Sequence, residues 1–150
     1  MAIWQYNFIV VPRKYLINSE VKVSFDKDGF LDDETYWLND KVNCDLFGEI
    51  STVLPKAKPW HKDLTLFGRQ DSNCFEVYSE YGLVESVSFR IDFTTLYKDI
   101  LDFILEFLRL HDFLIIDEQG YSSSLDSSEI KMLIENSKQF HKYKALSSSI

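Results

Sequence analysis

The stretch VESVSFRIDF, residues 84 to 93, constrains the fold more than any other. Val87, Phe89, Ile91 and Phe93 alternate with Ser86, Ser88, Arg90 and Asp92. Successive side chains of a strand point to opposite faces, so this segment reads as a strand with one apolar and one polar face. The preceding CFEVYSEYG is its hairpin partner, with Phe75 and Val77 facing in and Glu76, Tyr78 and Glu80 facing out. Cross-strand partners must share a face. That pairs Phe75 with Phe89, Val77 with Val87 and Cys74 with Arg90. The register leaves Tyr81-Gly82-Leu83 as a three-residue loop in which Gly82 takes a positive φ. A two-residue turn would set Val77 opposite Ser86 and mix the faces.

The same reasoning extends along the chain. IWQYNFIVV, residues 3 to 11, puts Trp4, Tyr6, Phe8 and Val10 on a buried face and stops at Pro12, which cannot continue the ladder. Val21, Val23 and Phe25 suggest a short strand before a turn at Asp28-Gly29. In CDLFGEISTVL, residues 44 to 54, the spacing of Leu46, Phe47, Ile50, Val53 and Leu54 predicts a helix, weakened by Gly48 and ended before Pro55. PKAKPW reads as a loop, DLTLFG as a strand, and Gly68 to Asn73 as a polar turn.

TTLYKDILDFILEFLRLHD is the clearest helix, capped by Thr94 or Thr95. Its stripe is Tyr97, Ile100, Leu101, Ile104, Phe107 and Leu108, widened by Leu96, Phe103 and Leu110. FLIID, residues 113 to 117, is a continuous apolar run, expected to be buried on both faces. Strand, helix and buried strand together suggest a right-handed crossover joining parallel neighbours. Gly120 to Ser124 reads as a loop. Asp126 then caps a last helix with Ile130, Leu133, Ile134, Ser137, Phe140 and His141 on one face, and LSSSI frays. The chain of 150 residues suits one domain. The expected fold class is α+β: two layers, a mainly antiparallel sheet of about five strands with helices packed on one face.

Charge narrows the partners. The net charge is −8 and Lys and Arg are scattered, whereas nucleic-acid binding needs them clustered against phosphates. An acidic surface suits a basic protein partner. No run reaches the roughly 20 apolar residues of a membrane span. The opening segment alternates like a strand and lacks a basic n-region, so it does not read as a signal peptide, and the chain reads as cytoplasmic. Cys44 and Cys74 have no Cys or His at metal-ligand spacing and read as free thiols. Nothing in the sequence calls for a metal or another cofactor.

Arg90 and Asp92 project from one strand face, with Glu76 diagonal to Arg90 and Tyr78 beside it. This reads first as a solvated ion-paired surface, then as a protein contact, and last as a catalytic site. DKDGFLDDE carries Asp26, Asp28, Asp32, Asp33 and Glu34, but it fails the spacing of a calcium loop and reads as an acidic patch. Trp60 and His61 in KPWHKDL are the alternative, with Tyr78, for the wall of a ligand pocket. His111-Asp112 has no partners for a metal hydrolase, and the serine runs lack any nucleophile context. No catalytic residue is assigned.

The segments LPKAKPWHKDLTLFG, CFEVYSEYGLVESVSFRIDF, FLIIDEQG and SKQFHKY, within residues 44 to 143, resemble a group of small uncharacterised bacterial proteins. Those single-domain proteins are similar to immunity proteins of bacterial toxin systems, which are acidic, compact and bind their toxins. The resemblance implies a non-enzymatic protein-binding module of immunity type, with a basic toxin or another protein as partner. The alternative is a small-ligand-binding or enzymatic domain. A homodimer covering the open sheet face or a strand edge also stays open.

Overall fold

A computed structural model of the chain describes residues 4–15, 37 and 41–148. Its centre is one open, seven-stranded sheet: β1 (Gln5–Pro12), β2 (Lys56–Ala57), β3 (Leu64–Gly68), β4 (Cys74–Glu80), β5 (Leu83–Asp92), β6 (Phe113–Ile116) and β7 (Ser122–Ser123). The spatial order is β2-β3-β4-β5-β1-β6-β7 and every pair is antiparallel. With a 3-10 helix (Cys44–Thr52) and the helices α1 (Lys98–Leu110), α2 (Ser127–Glu135) and α3 (Lys138–Ser148), this is the expected α+β class. The added strands are β2 and β7, two residues each, in segments that read as loops. No helix among the described residues is long and apolar enough to cross a membrane. The expected strand near residues 21 to 25, and the acidic Asp26, Asp28, Asp32, Asp33 and Glu34, lie outside the described residues.

The hairpin register holds: Phe75 pairs with Phe89, Val77 with Val87 and Cys74 with Arg90. Its connection differs. Glu80 pairs with Leu83 across a two-residue turn, in which Tyr81 and Gly82 have φ of 53° and 80°. Two successive positive φ values give the turn whose twist suits a hairpin. The faces stay in order because a bulge follows at once: Ser79 pairs with Val84 but Tyr78 with Ser86, so Glu85 is the inserted residue. The three-residue loop is thereby corrected.

Phe8, Phe75, Phe89, Ile91, Val77, Val87 and Ile115 form the sheet side of the core. Phe8, Phe75 and Phe89 stack across three adjacent strands at 5.0 and 5.9 Å. The helix side is led by Phe47, Ile50, Leu101, Ile104, Leu108, Ile130 and Ile134. Phe47 joins the layers, with its ring 5.8 Å from Phe75, 5.6 Å from Phe107 and 5.7 Å from Phe113. The segment that carries it is a 3-10 helix of nine residues, where α-helical spacing was expected. Gly48 lowers helix propensity at its middle, and the element ends at Thr52, shortly before Pro55.

Other expectations need correction. β5 and β6 both run antiparallel to β1, so they point the same way, but β1 lies between them and no parallel pair forms. Trp4 is half exposed, outside the core face assigned to it. Leu96 (99% exposed) and Leu110 do not widen the α1 stripe, whereas Leu105 is buried. Neither Thr94 nor Thr95 caps α1, whose N-cap is Tyr97 without a side-chain bond. The last helix is two, because Ser137 Oγ donates to Ile134 O (2.6 Å) and accepts the Phe140 N–H (3.2 Å). That break turns His141 to solvent, and α3 runs to Ser148. Asp126 does cap α2, accepting the N–H groups of Ser128 and Glu129.

Candidate functional site

The candidate residues lie on the sheet face opposite the helices, and strand alternation puts them there. In order across the sheet this face carries Leu64 and Leu66 of β3, Cys74, Glu76 and Tyr78 of β4, Ser86, Ser88, Arg90 and Asp92 of β5, then Gln5, Asn7, Ile9 and Val11 of β1 and Leu114 and Ile116 of β6. It is a polar strip between two apolar margins. Leu64, Leu66 and Cys74 cluster with Ala57 and Tyr78 on one side, and Val11 and Ile116 with Ile9 and Leu114 on the other.

The strip is not the wet surface that its sequence suggests. Glu76 and Asp92 are each only 5% exposed, because the turn from Gly68 to Asn73 folds over this end of the face. Gly68 starts it at φ +79°, with its N–H on Pro55 O (2.8 Å), and Arg69 N–H closes onto Asn73 O (3.0 Å). The carbonyls of the turn then point at the sheet. Gln5 Nε2 donates to Gln70 O (2.9 Å) and Ser72 O (2.6 Å), and Arg90 donates to Gln70 O (3.3 Å). Ser72 Oγ donates to Asp92 Oδ2 (3.1 Å). Asp92 Oδ1 takes the Thr94 N–H (2.9 Å), while the Asp92 N–H donates to Asn73 Oδ1 (2.7 Å). Asp92 is thus a structural group that closes the end of β5, and it is withdrawn from the contact surface.

Glu76 is half of an ion pair whose other half reaches water. Its carboxylate lies 3.6 Å from an Arg90 guanidinium nitrogen and accepts from Gln70 Nε2 (3.3 Å) and from the Cys74 thiol (3.7 Å). The Arg90 side chain keeps 32% of its surface open, against 7% for Glu76. Burial, then the Glu76 charge, push the Cys74 thiol up to about 12, so it is a poor nucleophile at neutral pH. Burial and the same carboxylate push the Tyr78 hydroxyl up, opposed by Arg90. Among the described residues no cluster of His, Cys, Asp and Glu could hold a metal ion.

Next to this network stand three rings. The Trp60 centroid is 6.0 Å from His61 and 6.2 Å from Tyr78, and His61 is 6.4 Å from Tyr78. Trp60 is 62% exposed and Tyr78 half-buried. The structure therefore brings together Trp60, His61, Tyr78, Glu76 and Arg90, which sequence reading had divided between a contact patch and a pocket. No protein-family model, curated protein or solved structure matches this chain.

Gln5, Gln70, Ser72 and Asn73 were missed. Gln5 carried a faint signal, as a polar residue on the strand face opposite Tyr6 and Phe8, but nothing local says that a turn more than sixty residues away would accept its hydrogen bonds. A cleft of about 670 Å³ was also missed; it lies where the N-termini of α1 and α2 meet, with Leu96, Tyr97 and Leu101 in its wall and Lys98 and Lys131 at its rim.

Proposed function

We propose that this chain is a non-enzymatic protein-binding module that offers the β3–β5 part of its outer sheet face to a basic protein partner. The observation behind this is the corner where exposed Trp60 stands beside Tyr78 and a half-open Arg90 whose charge Glu76 has already fixed. The few residues that dominate protein contacts are enriched in Trp, Tyr and Arg. Side chains ordered before binding lose less entropy on binding. The buried, high-pKa Cys74 gives no support to covalent chemistry at this place.

The net charge of −8 favours a basic partner and predicts association that slows with salt. An immunity-type role adds that the partner is a toxin, and it draws on the resemblance of residues 44 to 143. Short edges also speak for side-chain docking over strand addition: β2 has two residues flanked by Pro55, Lys58 and Pro59.

The test is to co-express the product of the adjacent reading frame and measure the complex by interferometry at two salt concentrations. Trp60→Ala and Arg90→Ala should each weaken it about 10-fold or more, typical of contact anchors. A complex indifferent to both substitutions would remove this face from the reading. One observation favours the small-ligand alternative at a different place, since the α1–α2 cleft has the volume of many ligand sites. Saturable fragment-induced shifts at Leu96 and Lys131 would support that reading, and their absence across a fragment library would count against it.

A further inference from the structure

The three-ring corner has a geometry that specifies what it receives. The ring planes meet at 74° for Trp60 and His61, 69° for Trp60 and Tyr78 and 57° for His61 and Tyr78. Rings stacked flat at such distances would hide their faces in each other. Steep planes leave ring faces only partly covered by their neighbours, and Trp60 is 62% exposed. Aromatic faces are electronegative and attract a cation, which gains from each face it touches.

No cation among the described residues lies over any of the three rings; by contrast the Lys144 ammonium sits 5.6 Å from the Phe140 ring. Arg90, whose charge reaches Tyr78, is held by Glu76 and Gln70 O. The His61 ring is oriented by its Nδ1, which accepts the Asp63 N–H (3.1 Å). Beyond burial, the Glu76 carboxylate, two residues from Tyr78 on the same face of β4, raises the Tyr78 hydroxyl's pKa while its ion-pair partner Arg90 lowers it. We propose that the Trp60–His61–Tyr78 corner is a receptor for the guanidinium of an arginine on the partner protein. A planar, weakly hydrated guanidinium lies flat on an indole and donates from its rim, which the compact ammonium of lysine cannot do. This specifies the partner's contact chemistry and rests on the docking face proposed above.

The experiment uses the full chain and a tetra-arginine amide peptide, followed by ¹H–¹⁵N spectra of the Trp60 indole N–H. The expected result is a saturable shift of that resonance, weaker with tetra-lysine. Trp60→Phe should keep the peptide affinity within about 3-fold, and Trp60→Leu should lose about 10-fold, because leucine keeps apolar bulk without a π face. Trp60 is exposed, and circular dichroism verifies that both variants stay folded. Equal affinity in the leucine variant, or shifts confined to other acidic regions, would overturn the inference. If the protein complex needs Trp60 while tetra-arginine ignores the corner, the receptor idea fails and the docking face stands. If the peptide fills the corner but the complex ignores Trp60 and Arg90, the docking face fails instead.

Discussion

Replacing Gly68 by alanine tests whether the Gly68–Asn73 turn holds the outer face together. Two costs add at this position. Its φ of +79° lies in the left-handed region, where a Cβ costs about 1–2 kcal/mol. The Cβ would also stand 2.3 Å from Asn73 O and 3.1 Å from a Leu54 methyl. The first of these atoms is backbone and is pinned by the Arg69 N–H, so it cannot swing aside. Forced repacking of this kind costs about 1–3 kcal/mol more. Gly82→Ala is the internal control: φ is +80°, but nothing lies within 4 Å of its Cβ, so only the conformational cost of about 1–2 kcal/mol applies. Urea unfolding of both variants beside the parent measures the difference. In the Gly68 variant the Gln5 side-chain amide should also lose its hydrogen-bonded shift, since its acceptors are carbonyls of that turn. If Gly68→Ala is no more destabilising than Gly82→Ala, the turn is not the close-packed lid described here.

Three further outcomes follow from the same geometry. Phe47→Ala should cost about 3–5 kcal/mol in urea unfolding, because it removes the ring shared by the 3-10 helix, β4, α1 and β6. Glu118 has its pKa raised, chiefly by burial and against hydrogen bonds from the Asn7 N–H and Gln139. A raised carboxyl pKa means that the folded state holds this proton more tightly than the unfolded chain. Its contribution to stability is therefore full below the ordinary value of 4.5 and lost as pH rises through the folded value. Glu118→Gln should flatten that part of the stability–pH curve. Cys74 is fully buried with its thiol raised to about 12, while Cys44 is partly exposed, so a thiol reagent should label one cysteine per native chain and two in urea.

Alternation made the sheet legible, because burying one face leaves a period-two trace in each strand. Phe75, Val77, Val87, Phe89 and Ile91 were placed correctly on that ground alone. Alternation says which side a residue points to and nothing about what comes to rest there. Glu76 and Asp92 do point away from the core, yet both are buried, because a turn between β3 and β4 folds over them. The meeting of Trp60 and His61 with Tyr78, expected as a pocket wall, is found, and the pairing of β3 with β4 sets it next to the Glu76–Arg90 pair. Leu96 and Leu110 fit the helical period but fall beyond the reach of the layer below. The bulge at Glu85 went unread because a two-residue turn and a bulge together leave the same facial pattern as a three-residue loop.

The place of β1 has a consequence for how the chain assembles during synthesis. The ribosome releases this strand long before either of its neighbours, yet it ends up wedged between them, with Tyr6 beside Ile91 and Ile9 beside Ile116. The β4–β5 hairpin can zip by itself, but the slot between β5 and β6 exists only once the crossing helix has been made. Until residue 116 emerges, Val10 lacks its β6 neighbour Ile115, so the centre of the sheet cannot be paired on both sides before then.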